Sequence, residues 1–318
     1  MHVLYMVIPC YNEEDVLPET SSRLLEKFIR LINDCTISDK SRIVFVNDGS
    51  KDKTWDIIKD LHEQNRIFSG INLSCNRGHQ NALLCGLMTV KDLCDITISM
   101  DADLQDDLDV IEGFIKSYEA GSDIVYGVRS ERASDSAFKR ATGEGFYKIM
   151  KFLGANIVFN HADCRLMSRR SLDAFSKFKE VNLFLRGLVP MIGYKTDVVY
   201  YERHERFAGV SKYPLRKMMA FAFEGVTSLT NKPIRLIGLL GLITLLVSLI
   251  VSLYFLIRAL GGGTVPGWAS TFLSIWFLGG INLFSIAVVG EYVGKIYLES
   301  KERPRFIVET FLNEQECL

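Results

Sequence analysis

Backbone cradles for phosphate are missing from this 318-residue chain. No G-x-G-x-x-G and no G-x-x-x-x-G-K-S/T follows any of its apolar strands, which excludes the dinucleotide and P-loop ways of holding phosphate. Seven cysteines, at 10, 35, 75, 85, 94, 164 and 317, contain no C-x-x-C pair and no even framework. Zinc sites and disulfides are therefore not indicated, and the thiols read as reduced and cytosolic. Excess charge is missing too: 37 Lys and Arg against 38 Asp and Glu leave a net charge of -1, with no bulk attraction to nucleic acid. Charge is also absent locally, from Leu236 to Ile257 and from Ala269 to Gly290. Each stretch is long enough to cross the roughly 30 Å hydrocarbon layer as a helix. Both lie too late in the chain to be cleaved leaders, and the run Met1 to Ile8 is too short to be one.

What is present is a repeated strand, polar loop and helix. Val3 to Ile8, Ile43 to Val46, Gly70 to Ser74 and Ile96 to Ser99 read as apolar strands. Each runs into polar residues and then a helical pattern: Asp15 to Ile32, Thr54 to Gln64, a helix ending at Val90, and Val110 to Tyr118. Four such units predict an α/β fold with a mostly parallel sheet and all four polar loops on one edge, where open α/β sheets bind ligands. Ile124 to Val128 reads as a further short strand.

The fourth loop carries the densest chemistry, with Asp101, Asp103, Asp106 and Asp107 within seven residues. A D-x-D pair suits Mg²⁺ or Mn²⁺, whose other positions go to phosphate oxygens and water, so the implied partner is a diphosphate. Calcium in an EF-hand loop is excluded by Asp106 where that loop needs glycine, and by a strand where it needs a helix. Asp48 and Glu13 remain for base or ribose hydroxyls, and Arg129 and Arg140 offer guanidinium forks to phosphate, whereas Arg132 and Lys139 read as a solvated basic face.

The ordered motifs P-C-Y-N-E, V-N-D-G-S-K-D, N-R-G-H-Q-N-A, M-D-A-D-L-Q-D, A-D-C-R-L-M-S-R and R-F-A-G-V-S-K-Y resemble a family 2 glycosyltransferase of GT-A fold. Followed by two apolar spans, they resemble its polyprenyl-phosphate branch, which contains dolichol-phosphate mannose synthase and GtrB-like enzymes. The resemblance implies a nucleoside site at Pro9, Tyr11, Glu13, Asp48 and Asn76. It implies ribose and metal binding by Asp101, Asp103 and Gln105, with Asp103 as direct ligand. Arg129 and Arg140 match acceptor-phosphate positions, and Arg206 and Lys212 match residues that neutralise the leaving nucleotide, with Gly209 as a hinge. Asp163 stands where a general base would be sought; it is either that base or a group orienting the acceptor or a basic side chain. Two departures from the family pattern are Asp107-Leu108 in place of prolines and Cys164 in place of an aromatic.

The implied reaction is inverting, metal-dependent transfer from a UDP-sugar (glucose, then N-acetylglucosamine, with GDP-mannose third) to undecaprenyl or another polyprenyl phosphate. The expected organisation is a cytoplasmic catalytic domain over 1–211, an amphipathic juxtamembrane region over 212–232 and a transmembrane hairpin over 233–318. The hairpin's spans are expected near 235–257 and 268–290, followed by a cytoplasmic tail. Lys232, Arg235, Lys295, Lys301, Arg303 and Arg305 flank the spans on the inner side, so both termini are expected in the cytoplasm of a multi-pass cell-membrane protein. Arg258 is the contrary charge. Gly279, Gly280, Asn282 and Ser285 within the second span predict helix association and a homo-oligomer. A noncatalytic nucleotide-sugar-binding scaffold is the rival from another class. A processive synthase is the rival enzyme, disfavoured because none of Trp55, Trp268 and Trp276 follows an arginine.

Overall fold

The computed structural model describes residues 1–103, 105–129, 161–201, 230, 232–260 and 267–313, with Arg129, His161, Ala162 and parts of the two long C-terminal helices by their backbone alone. Two compact units divide it, one of 1–147, 156–214 and 303–318, the other of 148–155 and 215–302.

The first unit is an eight-stranded sheet with strands β1 (Leu4–Cys10), β2 (Arg42–Asn47), β3 (Phe68–Leu73), β4 (Ile96–Ser99), β5 (Ile124–Arg129), β6 (His161–Ser168), β7 (Thr196–Tyr201) and β8 (Val308–Leu312). Their order is β7-β5-β6-β4-β1-β2-β3-β8. β1 pairs in parallel with β2 and β4, β2 with β3, and β5 with β7, whereas β6 and β8 run against their neighbours. The four expected units are present, with α1 (Leu17–Asn33), α2 (Thr54–Gln64), α3 (His79–Val90) and α4 (Val110–Glu119) following β1 to β4. The short helices α5 (Arg169–Phe175) and α6 (Leu185–Met191) were not anticipated.

The central strands are apolar on both faces, as strands covered by crossover helices must be: every residue of β1 and β4 is buried. α1 begins with a proline in its first turn and lays Leu17, Leu24, Phe28 and Leu31 into the core with Met6, Ile8, Phe45 and Ile98. Lys27, 5% exposed, reaches Asp109 and Glu112 at 2.7 Å each, joining α1 to the start of α4 behind the acidic loop. A buried lysine is tolerable only with such partners.

Sequence periodicity misses β6, β7 and β8. β6 is the antiparallel intruder between β4 and β5, with Ser99 opposite Arg165. β8 comes from the C-terminal tail, which the sequence reading leaves beside the apolar hairpin. It closes the edge of β3 through the pairs Gly70 with Leu312 and Asn72 with Thr310, and Asn72 Nδ2 donates to Glu309 Oε2 at 2.8 Å.

The second unit contains two long helices, α7 (Lys232–Leu260) and α8 (Trp268–Ser300). Phe277–Ser300 is long and apolar enough to cross a membrane, and 6% of its apolar window is buried. α8 runs ten residues beyond the expected end at 290, because Glu291, Lys295 and Glu299 bring charge without a helix breaker. Ser285 and Thr244 return their hydroxyls to carbonyls one turn earlier, Ile281 and Leu240, which satisfies them without water.

Candidate active site

β1 to β4 end together, so the loops after Cys10, Asn47, Leu73 and Ser99 share one edge. Asp48, 2% exposed, holds two of them together: its Oδ1 accepts from the Arg77 N–H at 2.7 Å and its Oδ2 from the Gly78 N–H at 2.9 Å. Burial pushes this carboxyl up, and those two donors hold it back. Gly49 makes the approach feasible. Its φ is +63°, and a Cβ there would stand 2.5 Å from the backbone nitrogen of Asn76. On the β1 side Asn12 takes a positive φ of 54°, and its N–H bonds the Ser50 hydroxyl at 3.0 Å. Tyr11 is 43% exposed at this rim, Pro9 is buried beneath it, and the Glu13 N–H is tied to Thr54 Oγ1 at 2.9 Å.

The antiparallel run of β6 brings Asp163 to Asp101, since Ser99 faces Arg165 and the Ser99 hydroxyl donates to the Asp163 carbonyl at 2.7 Å. Asp163 is clamped by arginine. Arg186 donates from Nε to Oδ1 and from Nη2 to Oδ2, both at 3.1 Å, and Arg165 Nη2 reaches Oδ1 at 3.3 Å. Burial alone would raise the Asp163 carboxyl, but Arg186, then Arg165 and His79, outweigh it and hold the group well below the usual carboxylate range. Arg186 is itself placed by Gln80, whose Oε1 accepts from the Leu185 N–H at 2.8 Å at the start of α6.

Asp101 has the opposite setting. Desolvation is the main cause that pushes it up to about 6, with Asp163, Asp106 and Asp103 adding to the rise against the pull of His79. His79 opens α3 with its Nε2 at 3.6 Å from Asp101 Oδ1 and 3.9 Å from Asp163 Oδ2. One ligand atom from each of these three residues lies within 4.8 Å of the other two. Asp103 and Gln105 follow on the next turn, where the Gln105 N–H bonds Asp103 Oδ1 at 3.2 Å. Carboxylate oxygens are the hard donors that Mg²⁺ or Mn²⁺ takes, and Asp101 and Asp163, with the His79 imidazole, stand close enough together to share one ion. The residues fit such a cation.

The structure thus brings Pro9, Tyr11, Glu13, Asp48, Asn76, Asp101, Asp103, Gln105 and Asp163 to one sheet edge, where the backbone of Arg129 also ends β5. Arg140, Arg206 and Lys212, with Arg132, Lys139 and Gly209, lie outside the described residues. Sequence reasoning missed His79, Gln80 and Arg186. The first two stand inside the quoted N-R-G-H-Q-N-A motif and were open to notice, whereas Arg186 carries no local signal because its role depends on α6 folding back onto β6.

The family model for glycosyl transferase family 2 matches residues 5–175. The chain is 50% identical over 314 residues to the glycosyltransferase YkoT of Bacillus subtilis (strain 168), covering 98% of this chain and 93% of that one. It is 38% identical over 306 residues to the bactoprenol glucosyl transferase of Shigella phage SfV, covering 96% and 97%, and 37% identical, with the same coverage, to the prophage bactoprenol glucosyl transferase homolog of Escherichia coli (strain K12). With its acidic loop on the edge of a mostly parallel α/β sheet, this chain belongs to glycosyl transferase family 2.

Proposed function

We propose that this glycosyltransferase moves a hexose, glucose first and N-acetylglucosamine next, from a UDP-sugar to undecaprenyl or another polyprenyl phosphate, with inversion at the anomeric carbon. The product would be a lipid-linked sugar for modifying cell-envelope glycans. The observation that carries the reading is the clamp on Asp163, whose two oxygens are held by Arg186 and Arg165. A hydroxyl acceptor needs a base to take its proton. A lipid phosphate does not, because its second pKa, by analogy with phosphorylated side chains, is about 6. Similarity over 96% of the chain to relatives named bactoprenol glucosyl transferase supports the same acceptor.

In this mechanism Tyr11, above Pro9, offers its ring face to the base, and Glu13, Asp48 and Asn76 shape the nucleoside pocket. Asp101, Asp103 and Gln105 would hold a Mg²⁺ or Mn²⁺ ion, whose chemistry when bound is to neutralise the diphosphate. Arg129 and Arg140 hold the acceptor phosphate, one of whose oxygens attacks the anomeric carbon. The bond from that carbon to the diphosphate breaks, and UDP departs with the electron pair, its charge neutralised by Arg206 and Lys212. Asp163 orients Arg186 and takes no proton.

The chain is read as a multi-pass cell-membrane protein with the catalytic domain (1–211), the juxtamembrane region (212–232) and both termini on the cytoplasmic side. Its spans lie near 235–257 and 268–290, and it forms a homo-oligomer through Gly279, Gly280 and Asn282. A monomeric mass both in mild detergent and in nanodiscs counts against that assembly. The reaction is tested by incubating membranes that carry the protein with labelled UDP-glucose or UDP-N-acetylglucosamine, Mn²⁺ and undecaprenyl phosphate. A labelled glycolipid is expected, and Asp103→Ala abolishes it. No product from any donor, or product undiminished in Asp103→Ala, refutes the proposal.

A further inference from the structure

Among the described contacts, a buried side-chain hydroxyl fastens the acidic loop on each side of Asp103, and Asp106 also takes part in a β-bridge. On one side the Thr20 hydroxyl of α1, 1% exposed, donates to the Ala102 carbonyl at 2.7 Å. On the other the Tyr201 hydroxyl, at the end of β7, donates to Asp106 Oδ1 at 2.6 Å. Tyr201 and Asp106 are 5% and 3% exposed, so this is a bond sealed from water across 95 residues of sequence.

The tyrosine ring reaches Asp106 through a slot cut for it. Gly127 on β5 faces it, and a Cβ there would stand 2.9 Å from Tyr201 Cε1, 3.0 Å from the Cys164 carbonyl oxygen and 3.2 Å from Phe114 Cζ. β7 pairs with β5 through Arg129 opposite Tyr201, which sets the height of the ring along the sheet. Strand register, the glycine slot and the hydroxyl together aim one bond at the loop that carries Asp101, Asp103 and Gln105.

We propose that Tyr201 is a positioning residue for donor binding: by holding Asp106 it sets where Asp103 and Gln105 stand between the two fastenings. The inference rests on the proposed UDP-sugar reaction. Tyr201 touches no reacting atom, and it acts through Asp106.

The test is Tyr201→Phe, which keeps the ring in its slot and removes only the hydroxyl. Buried polar groups that lose a partner cost enough to change an equilibrium by roughly 5- to 100-fold. The donor KM is therefore expected to rise ~10-fold, and the affinity for UDP with Mn²⁺, read by calorimetry, to fall by a similar factor, while the acceptor KM stays within about twofold. Tyr201→Phe also leaves a buried carboxylate short of one donor, so its thermal midpoint is expected to drop. Adding Asp106→Asn removes that charge. The double variant is expected to recover its midpoint without recovering UDP affinity, which a role in stability alone does not predict. UDP affinity unchanged in Tyr201→Phe, or recovered together with the midpoint in the double variant, overturns the inference. Failure of the reaction is a separate outcome: a wild-type protein that makes no glycolipid but binds UDP with Mn²⁺ less tightly after Tyr201→Phe refutes the proposed acceptor and leaves Tyr201 in its role.

Discussion

Replacing Arg186 by alanine takes the fork away from Asp163 and leaves Arg165 as its arginine partner. Breaking a fully buried ion pair by deleting one partner costs about 3–5 kcal/mol. Here the side chains of Asp163 and Arg186 are 23% and 31% exposed, and Arg165 remains at 3.3 Å, so solvent and the second arginine recover part of the loss. A cost of about 2 kcal/mol follows, roughly a 30-fold change in the folded-to-unfolded ratio. The pH dependence has a definite sign. Asp163 has a depressed pKa in the folded protein, so its contribution is present above the unfolded value of about 4 and is lost as pH falls through the lower folded value. Without Arg186 the push from burial is opposed less, the folded pKa moves up, and that contribution shrinks. The deficit of the variant is therefore expected to be constant from pH 8 to 5 and to narrow below pH 4. Denaturant unfolding of purified protein in detergent, repeated across that range, measures it. Equal stability at pH 7, or a deficit that widens on acidification, refutes the electrostatic account. The same pairing predicts that transfer activity of the wild type has no acidic limb between pH 5 and 8 that Asp163→Asn removes.

Gly49→Ala is expected to raise the donor KM by ~10-fold or more, because the new Cβ meets the Asn76 backbone at 2.5 Å in a left-handed conformation, so the two loops around Asp48 must part. Steady-state kinetics against UDP-sugar check this, and an unchanged KM refutes it. Deleting residues 303–318 removes β8, strips the β3 edge of its partner and breaks the bond from Asn72 to Glu309, so the truncated protein is expected to unfold at lower denaturant and to aggregate. A midpoint equal to that of the full chain refutes the role given to the tail.

How much of this was legible depends on whether the information is local. The β1 to β4 units announce themselves because each strand is a run of buried apolar residues ended by polar ones and followed by a helical period, all within thirty-odd residues. The acidic loop and the Asp48 turn were legible for the same reason. β6 was not, since A-D-C-R-L-M-S mixes a buried arginine and a half-buried aspartate into a strand, and pairing with β4 explains why they are tolerated. β8 was hidden by distance: its partner β3 lies more than two hundred residues away in sequence. Arg186 and Tyr201 show the same limit in the site. Neither lies in a motif, and each matters through one side-chain bond that exists only once the sheet has assembled.

The two carboxylates at the centre of the crevice are set apart by their neighbours rather than by their own chemistry. Asp163 enters with two arginines already on it, which compensate its charge and hold its carboxyl well below the usual range. Asp101, a few ångströms away across His79, is pushed up to about 6 because desolvation and three further carboxylates act against one imidazole. A site built this way has one acid whose charge the protein supplies a counterpart for, and one whose charge is left for a ligand to balance. That asymmetry accords with the proposed reaction, in which a metal would assist departure of the diphosphate at Asp101 and the acceptor would arrive already ionised.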